Sequence, residues 1–106
     1  MNISIDEEEK TAEFTFVHKV APKFKPATAA HPEGITEYWV EIPKEIHGFV
    51  WYSDFYVDPT FKPEDPSLFR TTIVLDASAM NVQEDDLKKL VLFAEQRIKT
   101  FFSEEL

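Results

Sequence analysis

The residues of this chain that are able to do chemistry are few and scattered. There are three histidines, His18, His31 and His47, and no cysteine. No two of the histidines have the spacing that brings a pair onto one metal ion from a helix or a hairpin, and without thiolates the common structural zinc sites are excluded. His18 alternates with Phe14 and Phe16, so it reads as a residue at the edge of an apolar core. His31 lies in a proline-rich stretch, and His47 precedes Gly48 in a turn. Asp54, Asp58, Glu64 and Asp65 are close in sequence but lack the order of a calcium-binding loop.

Two further residues invite a catalytic reading. Asp54, next to Phe55 and near Trp51 and Tyr52, has the setting in which burial raises a carboxyl pKa and makes a general acid. Strand alternation, however, points Asp54 toward solvent. Ser53 falls on the core side of the same alternation and lacks the glycine-flanked elbow of a nucleophilic serine. The only glycines are Gly34 and Gly48, too far apart for a phosphate-cradling loop. Lys19, Lys23 and Lys25, with Phe24 among them, make a small basic patch that reads as a solvated loop. The expectation is a protein that is not an enzyme and has no catalytic residue, cofactor or metal.

The elements that must position these side chains follow from hydrophobic period. Asn2 to Asp6 and Thr11 to Val20 alternate, with the acidic turn Asp6 to Lys10 between them, as in a hairpin. Thr36 to Ile42 puts Tyr38, Val40 and Ile42 on one face and Glu37, Trp39 and Glu41 on the other. Phe49 to Val57 puts Phe49, Trp51, Ser53, Phe55 and Val57 on the core side and Val50, Tyr52, Asp54 and Tyr56 on the other. Phe69 to Asp76 supplies Phe69, Thr71, Ile73 and Leu75 inward. Two segments, about Ala21 to Gly34 and Asp58 to Leu68, each carry three prolines and are expected to be irregular.

After Ala77 the period becomes that of a helix. Leu87, Leu90, Val91, Ala94, Ile98, Phe101 and Phe102 form one stripe. Asn81 with Glu84 has the spacing of a capping box. A helix over about Val82 to Ser103 would be roughly 33 Å long, enough to cross a sheet. The chain is therefore expected to be a single α+β domain over residues 1–106. Its antiparallel sheet of about five strands is covered on one face by a single long C-terminal helix.

Charge and the uncovered face carry the functional expectation. The formal net charge is −9, which disfavours direct binding to nucleic acid or to anionic membranes. Neither a secretory signal nor a spanning apolar run is apparent, so a cytoplasmic location is expected. The face away from the helix is expected to carry Val17, Trp39, Val50, Tyr52, Tyr56 and Val74 among Glu13, Glu37, Glu41, Asp54 and Arg70. That mixture resembles an interface more than a solvated surface. The residues expected to bind a partner are Trp39, Tyr52, Tyr56, Glu37 and Glu41, the partner being another protein or a second copy. A small inhibitor, immunity-type protein, adaptor or assembly protein has this profile. Two alternatives are a ligand or catalytic pocket between sheet and helix, lined by Trp51, Phe55 and Tyr38, and an acidic mimic of nucleic acid.

Overall fold

A computed structural model describes residues 1–104. The chain forms β1 (Asn2–Asp6), β2 (Thr11–Lys19), β3 (Lys23–Lys25), β4 (Ile35–Glu37), α1 (Lys44–His47), β5 (Tyr52–Val57), β6 (Leu68–Asp76), a short 3-10 turn, α2 (Glu84–Phe101) and β7 (Ser103–Glu104). The architecture is α+β: an antiparallel sheet in the order β1-β2-β6-β5, with β7 also on β2, and one long C-terminal helix.

The sheet is built outward from β2 and β6, which pair over nine residues from Thr11↔Asp76 to Lys19↔Leu68. On one face this register sets Phe14 beside Ile73, Ala12 beside Leu75 and Phe16 beside Thr71. All six are buried, as are Leu87, Val91, Ala94 and Ile98 of α2. The helical stripe therefore meets the sheet as its period requires. The β1–β2 turn is closed by Asp6, whose Oδ1 accepts from the backbone N–H of Glu8 (3.1 Å) and Glu9 (3.0 Å). Lys10 follows with a positive φ of 56°.

Four expectations are corrected. First, β5 starts at Tyr52, because Pro43 to Trp51 turns instead as α1 and a tight bend that buries Ile46 and Trp51. Second, β5 has a bulge between Tyr52 and Asp54: Tyr52 pairs with Leu75 and Asp54 with Val74. The extra residue, Ser53, breaks the alternation, so Tyr52 joins Phe55 on the helix face and Ser53 is exposed. Third, Thr36 to Ile42 does not enter the main sheet. Ile35–Glu37 pairs with β3 in a separate ribbon, and the remainder runs without strand pairing toward α1. Fourth, α2 is shorter than its sequence pattern. Asn81 has a left-handed φ of 51° and ends the 3-10 turn, while Gln83 precedes α2 without a side-chain cap. Eighteen residues give about 27 Å of helix.

The molecule is elongated. The radius of gyration is 16.7 Å and the longest extent 57 Å, against about 13 Å of radius for a compact chain this long. Residues 21–41 form an arm in which β3 and β4 pair only with each other.

Ile98 is fully buried and Leu90 only partly. Ile98→Ala should therefore cost about 2–5 kcal/mol and Leu90→Ala distinctly less, measured by urea unfolding. Equal and negligible effects would contradict the packing of α2.

Candidate partner-binding surface

Of the five residues expected to bind a partner, the structure brings three together. Glu37, Trp39 and Glu41 lie along the returning half of the arm. Trp39 is fastened on both sides. Its indole Nε1–H donates to Glu41 Oε1 at 2.9 Å, and Lys23 Nζ donates to its carbonyl at 3.1 Å while standing 4.5 Å above its ring. Lys25 pairs with Glu37 at 3.0 Å across the ribbon. The lysines of the basic patch are thus each engaged, Lys19 with Asp65 at 3.6 Å. Such exposed pairs contribute little energy singly, but together they hold the arm's side chains in one arrangement.

Phe24 is the residue that sequence reasoning passed over. It sits in β3 with 67% of its surface exposed, while its ring lies against Gly34. Gly34 has φ +80°, and a Cβ there would stand 2.5 Å from Phe24 Cζ. Only glycine satisfies both conditions. The signal was present in the sequence as an isolated Phe between two lysines and a glycine after a proline, but the pairing of Lys23–Lys25 with Ile35–Glu37 was not. The loop between the strands is closed by Thr28 and His31, which exchange backbone hydrogen bonds at 3.0 and 3.2 Å. The arm ends in an ordered turn.

Tyr52 and Tyr56 lie elsewhere and on opposite faces. Tyr52 is half-buried on the helix side, its ring centroid 4.9 Å from that of His47. Tyr56 is 50% exposed on the open face. The aromatic open face expected from alternation is not present, because Trp39 is on the arm, Tyr52 on the other side and Val50 in a turn. What fills that face is largely polar. Thr15 and Thr72 hydroxyls meet at 2.8 Å, and Arg70 Nε donates to Asp58 Oδ2 at 2.9 Å. The Phe61 ring lies 5.0 Å from the Arg70 guanidinium. The second proline-rich segment thus reaches this face.

The acidic residues near it serve local turns. The Asp58 carboxyl is held down to about 2, first by the Thr60 hydroxyl, then by Arg70 and the Thr60 N–H. Asp65 is held below its ordinary value by the Ser67 hydroxyl and N–H. Asp54 is exposed, and its Oδ1 accepts from the Phe55 N–H at 2.8 Å. A general acid shielded from water is not what its surroundings make. Among the described residues no group of three or more His, Asp or Glu side chains is placed to hold a metal ion.

His18 is buried more deeply than the edge position expected. It is 1% exposed, packed against Phe16, Phe69 and Phe102, with Nε2 2.7 Å from Thr71 Oγ1. Burial lowers its pKa to about 4, so the folded protein holds it neutral. A cleft of about 220 Å³ at the root of the arm, bordered by Trp39, Val40, Phe101 and Phe102, reaches this cluster. A larger open groove of about 560 Å³ runs past Glu41, Ile42, Pro43, His47 and Phe55. It includes Phe55 of the pocket expected between sheet and helix, but neither Trp51 nor Tyr38. Trp51 is packed in the core, stacked on Phe49 at 5.2 Å.

No family model, curated protein or solved structure matches this chain. No helix is long and apolar enough to cross a membrane among the described residues.

The neutral His18 sets a pH dependence. Its folded pKa lies below the unfolded value of 6.5. As pH falls from 6.5 toward 4, the unfolded chain takes up a proton that the folded chain refuses, and stability drops. Urea midpoints measured between pH 7 and 5 should fall for the wild type. For His18→Gln the fall should be markedly smaller. The same slope in both proteins would contradict a buried neutral imidazole.

Proposed function

We propose that this chain is a non-enzymatic protein-binding module whose principal contact element is the arm of residues 21–41. The observation that carries the reading is Phe24: a large aromatic ring, two-thirds exposed, lying against Gly34 in a ribbon that pairs with no strand of the main sheet. Exposed aromatic side chains that are already ordered lose little conformational freedom on binding, and they are enriched at interface centres. Trp39, 37% exposed, supplies a second such surface nearer the root of the arm. Glu37 and Glu41 flank it, and the net charge of −9 favours a partner with a basic surface. Tyr56 is kept as a separate exposed aromatic on the open face, outside this contact element. Tyr52 enters only through the His47 side of the molecule.

The supporting features agree with a small adaptor, inhibitor or assembly protein, which needs a rigid body and one protruding determinant. Of the candidate reactive residues, Asp58 and Asp65 are committed to turns and His18 is packed in the core.

Affinity capture from the native source should recover one saturable protein partner with the wild-type chain. The double variant Phe24→Ser/Trp39→Ala should lose it, with at least a tenfold weaker binding, while its thermal midpoint stays within a few degrees of the wild type. A double variant that folds and still binds with wild-type affinity would remove the arm from the function.

A further inference from the structure

Among the described residues the main sheet has two edges that no strand covers, at β5 and at β1, and the chain treats them differently. At β5 the edge is defended. The bond from the Asp58 N–H to the Arg70 carbonyl (2.9 Å) fixes which residues of β5 face β6. By the alternation of an antiparallel ladder, Asp54, Tyr56 and Asp58 point their backbone groups inward, and Phe55 and Val57 point theirs out. The outward N–H of Phe55 is already taken by Asp54 Oδ1 at 2.8 Å, and that of Tyr52 by the Phe49 carbonyl at 3.1 Å. A bulge lies at one end of the strand and Pro59 just past the other. Natural sheets block unwanted strand addition with such features.

At β1 none of them is found. The bonds Ala77 N–H to Lys10 carbonyl (2.8 Å) and Val20 N–H to Ser67 carbonyl (2.9 Å) frame the β2–β6 ladder. They assign the even residues of β2 to β6, and so the odd ones to β1. Through the register Ser4↔Glu13 and Asn2↔Thr15, the even residues of β1 are then bonded inward. Ile3 and Ile5 are left with outward N–H and carbonyl groups. The strand has no proline, bulge or lysine, and no described element pairs with its outer side. Ile5 is 41% exposed.

We propose that this edge pairs with β1 of a second copy, antiparallel about a two-fold axis through Ser4. In that register Ile3 faces the second copy's Ile5, and the reverse, so outward groups meet outward groups in two hydrogen-bonded pairs. The isoleucines also meet on one face, an apolar cross-strand combination. On the other face Asn2 meets the second copy's Asp6, and Ser4 meets Ser4. This centring pairs the whole strand NISID with its copy, and no like charges stand directly opposed within it. In this register Glu7 comes opposite the second copy's Met1, whose ammonium is already paired with Glu104, so what opposes association is the repulsion between two copies that each carry a formal net charge of −9. Association should therefore strengthen as salt screens that repulsion. The pairing is independent of the arm, which remains exposed on both copies.

The absence of cysteine makes the register directly testable, because an introduced thiol is the only one. At the two-fold axis the Ser4 pair is the close, non-hydrogen-bonded kind, with Cα atoms about 4.5 Å apart, within reach of a disulfide. Ser4→Cys, oxidised with a glutathione buffer, should give a covalent dimer. Asn2→Cys alone should give at least tenfold less, and Asn2→Cys/Asp6→Cys should restore it. Light scattering should find wild-type dimer at tens of micromolar, increasing between 50 and 500 mM NaCl. Ile5→Lys, which leaves the backbone pairing with β2 intact, should be monomeric with its circular dichroism spectrum unchanged. A wild-type chain monomeric at every concentration and salt would overturn the proposal, as would equal crosslinking of the Asn2→Cys and Ser4→Cys variants. Neither result touches the arm, whose reading fails only if the Phe24/Trp39 variant still binds.

Discussion

The structure depends on the nine-residue pairing of β2 with β6. It sets Phe14 against Ile73 and Ala12 against Leu75, and so creates the apolar strip that α2 covers. A two-layer domain is stable only if one sheet face is buried along its length. Here a single ladder meets that need, since the helical stripe Leu87, Val91, Ala94 and Ile98 lies over it. β1 and β7 follow one another along the free side of β2, and β5 adds to β6. The remaining chain is free to leave the body, and residues 21–41 do.

Legibility in the sequence followed the physics of period. β2, β6 and α2 were readable because long alternating or 3.6-residue patterns survive any local irregularity. β5 was readable from Asp54 to Val57, but its start was not, because one added residue at Ser53 changes the face of the residue before it. That change moved Tyr52 to the helix side and split the group of aromatics expected on the open face. Thr36 to Ile42 alternates as well as a core strand does, yet it pairs only briefly with Lys23–Lys25. Alternation records a two-sided environment but not the partner strand. Glu37, Trp39 and Glu41 stay near one another because they share one stretch of chain. Phe24 went unread because its exposure depends on where the arm goes, which no local pattern states.

The polar residues divide by the same logic. Asp6, Asp58, Asp65 and Asp76 accept from N–H groups two or three residues onward, the reason aspartate is favoured in turns. His18 is the exception, a titratable group inside an aromatic cluster with Thr71 as its hydrogen-bond partner. The features on which the proposals rest are of another kind: an exposed aromatic on a separate ribbon, a net acidic chain, and a sheet edge without the protection found at the opposite one.

Native-state hydrogen exchange, resolved by residue, tests this division of labour most directly. The account predicts that the amides of Phe14, Phe16 and Ile73 exchange only through global unfolding. Those of Lys23 to Glu37 should exchange through a smaller opening that leaves the body intact, because the arm shares no ladder with the sheet. Arm amides protected to the same free energy as the β2–β6 ladder would contradict it, since arm and body would then be one cooperative unit and not a scaffold with a presented element.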